Sequence, residues 1–145
     1  MEKIFASALC VFLWFAPSAS QAQTRDAWVR SCQAKDSNLS GSIGYRICTG
    51  RFLNFLERQQ IELLKKLTSR FAEAADERTD PKAAAEHLTE SQKFWLRYAN
   101  QHCEIAQSMF GIGNASGDVV PSCMVREYEA RNKQLSRMLG GNYER

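Results

Sequence analysis

The sequence has few prolines, only His87 and His102 as histidines, and no apolar run long enough to cross a bilayer; each scarcity removes a class of protein. A transmembrane helix needs about 20 consecutive apolar residues. The longest run here, Ile4 to Ala16, falls short and ends at Pro17. The cysteines form no Cys-x-x-Cys and the histidines no His-x3-His, which disfavours a zinc site or a thioredoxin-like redox site. No Ser-His-Asp signature, Gly-rich phosphate loop or Walker pattern occurs. No pair of carboxylates lies in an apolar setting, so no general acid and base for glycoside hydrolysis can be named. The expectation is no enzyme, no cofactor and no metal. Basic residues form no block: 19 Lys and Arg are interleaved with 16 Asp and Glu, as in "ERQQIELLKK" and "REYEARNK". A net charge of +3 spread in this way describes solvated helix faces rather than a nucleic-acid or membrane patch. Strand-type alternation, internal repeats and low-complexity tracts are also absent.

What is present begins with "MEKIFASALCVFLWFAPSASQAQ", which reads as an export signal. Lys3 supplies the charged start, Ile4 to Ala16 the apolar stretch, and Ser20-Gln21-Ala22 the small residues that a signal peptidase reads, so cleavage is expected after Ala22. Residues 23–145 then suit a single domain. Glu2 and Lys3 leave together, and the charge balance does not change. Cys10 leaves as well, and Cys32, Cys48, Cys103 and Cys123 remain. An even set in a short exported chain argues for two disulfides and for a periplasmic or secreted location.

Three stretches carry helical periodicity, which predicts an all-α fold. Over residues 46–75 the apolar positions Phe52, Leu56, Leu63, Leu67 and Phe71 recur at three-to-four-residue steps, with Gln59 and Gln60 as a polar notch. Over 81–110, Asp80 caps the start and Pro81 takes the first helical position. The stripe there runs through Ala84, Leu88, Gln92, Trp95, Ala99, Cys103, Ala106 and Phe110. Over 121–139, Met124, Tyr128, Leu135 and Leu139 form the stripe and Gly140-Gly141 ends it. Four-residue spacing pairs Glu62 with Lys66 and Glu129 with Lys133 on exposed faces. Residues 23–45 read as a polar, irregular or short-helical arm anchored by Trp28 and Cys32. The core residues are expected to be Phe52, Leu56, Leu63, Leu67, Leu88, Trp95 and Leu135.

The two long helices predict an elongated antiparallel hairpin plus a third helix. Folding back at "DERTD" gathers the cysteines at one end. Three pairings are possible. Geometry permits Cys48–Cys103, while short-loop closure favours Cys32–Cys48 and Cys103–Cys123.

"FWLRYANQHC" collects a Trp, a Tyr, a His and a Cys, yet on a helix Trp95, Ala99 and Cys103 share one face, with Tyr98 and His102 on its flank. The cluster therefore reads as core and disulfide, and adjacent His102 and Cys103 make a poor nucleophilic pair. His87, with Glu86 and Glu90 nearby, reads as a solvated face. The segment "GIGNASGDVV", exposed and flanked by Cys103 and Cys123, is the candidate contact loop, with Asn114, Ser116 and Asp118 as contact residues.

"LTESQKFWLRYANQHC" followed by "CMVREYEARNKQL" resembles the LprI-type lysozyme-inhibitor family, in Leu88, Gln92, Trp95, Cys103, Cys123, Arg131 and Leu135. The pair Cys32 and Cys48 is similar too; Ala99-Asn100 and Tyr128 depart from the usual residues. The resemblance implies an exported bacterial helical domain whose partner is a protein, a lysozyme-type muramidase that it binds and inhibits. No inhibitory residue is carried over. Lysozymes of animal hosts are generally basic, so a local acidic patch such as Glu73, Asp76, Glu77 and Asp80 would be needed for steering. The alternative from another class is a structural or assembly factor of the bacterial envelope that holds a partner in an exposed helix groove. Neither reading fixes the oligomeric state.

Overall fold

The computed structural model describes residues 24–74, 80–110 and 116–141. The expected export signal lies outside them. All regular structure among the described residues is helical: α1 (Arg25–Lys35), α2 (Gly41–Glu73), α3 (Pro81–Phe110) and α4 (Val119–Leu139), with short 3-10 turns at Ser37–Leu39 and Ser116–Asp118. Cys32 is bonded to Cys48 and Cys103 to Cys123.

The arm ahead of α2 is more ordered than its polar sequence implies. Thr24 Oγ1 accepts the Ala27 N–H at 3.4 Å to start α1, and Asp36 ends it while accepting the Asn38 N–H at 3.0 Å to cap the next turn. One face of α1 then has enough to hold it. Trp28 stacks on Phe55 with ring centroids 4.9 Å apart, and Val29 is buried with Leu39 and Cys48.

α2 starts at Gly41 rather than near Arg46, because the 3-10 turn folds directly onto its first turn. Gly41 takes a left-handed φ of 70°, which a side chain would resist. At Gly44 the reason for glycine is contact: a Cβ there would overlap the Leu39 carbonyl and lie 2.7 Å from Leu39 Cα. α3 opens with Asp80 Oδ1 accepting the Ala83 N–H at 2.9 Å and Pro81 in first position. α4 opens at Val119, placing Pro121 inside its first turn, where a missing N–H costs no intrahelical bond. Gly141, at φ 76°, closes its far end.

The packing differs from a hairpin with a helix added to it. α4 makes the most extensive contacts with α2 and the next most with α3, while α2 and α3 touch each other less. The central cluster joins Phe52 and Leu56 of α2, Ala99 and Cys103 of α3, and Cys123, Met124, Val125 and Tyr128 of α4. A second cluster, toward the other ends of α2 and α4, joins Leu67, Leu88 and Leu135, with Leu63 and Phe71 packed against it. Trp95 is half-buried, meeting Tyr128 edge-on at 5.0 Å. Phe110 is 73% exposed although its spacing continued the inward stripe, because it is the last residue of α3, beyond the turns that α4 covers. Of the expected surface ion pairs, Glu62 instead meets Lys65 at 3.0 Å, one residue short of Lys66, and no Glu129–Lys133 pair forms among the described residues.

Candidate functional site

Between the two apolar clusters lies a polar layer contributed by three helices. Arg131 of α4, only 9% exposed, donates from Nε to Gln92 Oε1 at 3.2 Å, from Nη1 to Gln134 Oε1 at 2.7 Å and from Nη2 to Ser91 Oγ at 3.1 Å. Gln92 in turn donates to Gln60 Oε1 at 2.6 Å, and Asn132 Nδ2 donates to the Leu56 carbonyl at 2.9 Å. The guanidinium also lies 6.0 Å from the Trp95 ring centroid. Every acceptor of Arg131 is neutral, and burial pulls its pKa below the usual arginine value. Through these forked donors one α4 side chain is joined to two residues of α3. Gln60, half of the polar notch in the α2 pattern, and Gln92, a member of the inward stripe of α3, are therefore part of a tie between α2, α3 and α4, while Gln59 is exposed.

Of the candidate contact residues, Ser116 and Asp118 lie at the N-terminal end of α4. Asn114 is outside the described residues, and Ser116 begins the 3-10 turn. Asp118 accepts from Arg46 Nε of α2 at 2.8 Å, with the two side chains 30% and 42% exposed. Arg46 lies over the turn closely enough that a Cβ at Gly117 would meet its Cζ at 2.9 Å. Cys103–Cys123 anchors the same segment from α3. The turn is thus held on two sides, with its carboxylate reachable from solvent. Of the acidic patch, Asp76 and Glu77 lie outside the described residues; Glu73 and Asp80 are exposed.

Beside α1 a cleft of about 250 Å³ is lined by Trp28, Ser31, Cys32, Lys35, Asp36 and Arg51. His102 Nε2 lies 3.7 Å from Glu127 Oε1, and the ligand atoms of His102, Glu127 and Cys123 fall within 4.8 Å of one another. The sulfur is in a disulfide and offers no thiolate, so two ligands remain, fewer than a zinc site uses. His87 is exposed, while Glu86 and Glu90 face Lys82 at 4.0 Å and Lys93 at 2.7 Å.

One feature was missed in the sequence because a stronger inward stripe overlay it. Phe94 is 64% exposed, Tyr98 58%, Ile105 59% and Met109 82%. Their spacing places them along one outward strip of α3, with Tyr98 stacked on His102 at 5.6 Å. A second apolar period, offset from Trp95, Ala99 and Cys103, was the available signal.

The family model described as lysozyme inhibitor LprI matches residues 32–135, from the first disulfide cysteine to the last buried leucine of α4. The chain belongs to the LprI family. No curated protein and no solved structure matches it significantly. LprI proteins are lysozyme inhibitors, not enzymes. The positions of resemblance to LprI are inward-facing here: Leu88, Cys103, Cys123, Arg131 and Leu135 are buried, and Gln92 and Trp95 are half-buried around Arg131. Two disulfides together with LprI membership point to a location outside the cytoplasm. No helix among the described residues is long and apolar enough to cross a membrane.

Proposed function

We propose that this protein is an exported inhibitor of a lysozyme-type muramidase, periplasmic or secreted after cleavage near Ala22. The observation that carries the reading is the LprI match, which includes both disulfides. The contact we favour is the segment between Cys103 and Cys123, with Asn114, Ser116 and Asp118 facing the enzyme. Both disulfides brace that pole in this reading. A segment anchored before binding loses less entropy on binding, which favours an inhibitor over a loose arm. The Asp118 carboxylate, held in place by Arg46 and partly exposed, offers an enzyme a positioned hydrogen-bond acceptor. Clearing of a bacterial cell-wall suspension by muramidase tests this. Slowed clearing in proportion to added oxidised protein is expected, with a weaker effect for Asp118→Lys; unchanged clearing at large molar excess rejects inhibition of that enzyme.

A second reading, an envelope assembly factor holding a partner helix, is favoured by the outward strip of α3, since contiguous exposed apolar side chains mark interaction surfaces. Recovery of one stoichiometric envelope protein by the wild type, lost on Tyr98→Glu, would support it. Recovery of nothing would count against it.

A further inference from the structure

We propose that the outward strip of α3 is the seam of a homodimer, in which α3 of a second copy lies antiparallel across it. Phe94, Tyr98, Ile105 and Met109 run about 22 Å along the helix at 1.5 Å per residue, and no described residue covers them. Four large, mainly apolar side chains in one line on a helix face mark an interaction surface.

The choice of a second copy rests on the symmetry of the pattern. Arg97 and Glu104 stand two helical turns apart on the same flank of the strip, both exposed and neither with an ionic partner among the described residues. In an antiparallel pair of helices, like flanks face each other. A two-fold axis passing near Gln101 therefore brings Arg97 of each copy toward Glu104 of the other, giving two ion pairs. The same axis sets Phe94 opposite Met109 and Tyr98 opposite Ile105. Residue i meeting j while j meets i is the mark of an isologous interface. An unrelated partner helix would require no such reciprocity.

The interface is small against the roughly 1,600 Å² of a standard complex, so dissociation on the order of 10 µM is expected. The dimer points its two Asp118-bearing ends in opposite directions, giving one assembly two sites for a partner.

Sedimentation of the oxidised chain of residues 23–145 over a concentration series up to the submillimolar range tests the seam. A monomer–dimer equilibrium is expected. Arg97→Glu places two like-charge pairs in it and should weaken association about tenfold, as should Glu104→Arg; the double reversal should return the affinity to within about threefold of wild type. Both positions are exposed, and an unchanged melting curve shows that the fold is kept. A monomer at every concentration overturns the proposal, including the case in which the strip is then protected by an unrelated protein. So does a dimer that neither reversal weakens, or one that the double reversal fails to restore.

Discussion

Replacing Arg131 with alanine tests whether the polar layer ties the helices together. The side chain is 9% exposed and makes three hydrogen bonds to Gln92, Gln134 and Ser91, each from a charged donor to a neutral acceptor. At about 1 kcal/mol net apiece, the bonds amount to about 3 kcal/mol. The contact with Trp95, at 6.0 Å, adds about 0.5 kcal/mol. Removing the guanidinium also removes the cost of burying it, so the net loss expected for Arg131→Ala is about 2–3 kcal/mol. Urea unfolding with the disulfides intact measures it from the shift in midpoint at constant slope. Arg131→Met keeps the volume but still leaves Gln92 Oε1 without its donor. Combining it with Gln92→Leu and Gln60→Leu removes both ends of the Arg131–Gln92 and Gln92–Gln60 bonds and should recover about half of the loss. Arg131→Lys, lacking the forked donor, is expected to cost about 1–2 kcal/mol. A loss below about 0.5 kcal/mol for Arg131→Ala, or additive behaviour with Gln92, would refute the layer as a tie between helices.

Gly44→Ala drives a methyl into the Leu39 backbone and should cost about 2–4 kcal/mol while exposing the Cys32–Cys48 disulfide to reduction, read by urea unfolding and by thiol release under mild reductant. The disulfides close spans of 16 and 20 residues, so replacing either pair with serines should cost about 3 kcal/mol, measured by the same unfolding curves. The Tyr128 phenol has a pKa raised above 10.0, first by burial and then by the nearby Glu57 carboxylate. Its folded-state pKa exceeds its unfolded value, so the contribution is complete below pH 10 and is lost as pH rises through the folded value. Stability should fall above pH 10 in the wild type, and Tyr128→Phe should abolish that part of the fall. Arg46→Ala and Asp118→Ala should show a coupling of about 0.5–1 kcal/mol in a double-mutant cycle, as expected for a partly exposed pair.

The helical character and the separate ends of α3 were legible because the signals are local: Asp80 and Pro81 act within one turn, and glycines follow the helix. The pairing of each cysteine with its sequence neighbour was favoured by short-loop entropy, and the bonds found are Cys32–Cys48 and Cys103–Cys123. α1 was hidden because its regularity depends on Trp28 resting on Phe52 and Phe55 and on a disulfide, none of which sets a period in its own sequence. The early start of α2 depends on how Leu39 meets Gly44 in space. The central place of α4 could not be read from stripes, since periodicity tells which face is buried but not against what. The polar notch at Gln60 has its reason only in the fold, where Gln60 accepts from Gln92 and Gln92 accepts from Arg131. At the candidate contact, Asp118 and Arg46 are 72 residues apart, and only the fold reveals that they meet.

Hydrogen exchange of the oxidised protein, with and without a lysozyme-type muramidase, addresses the central claim most directly. Slower exchange is expected in the Cys103–Cys123 segment and at the start of α4 when the enzyme is present, with the amides around Arg131 unchanged. Exchange that is identical throughout the chain at saturating enzyme would contradict it.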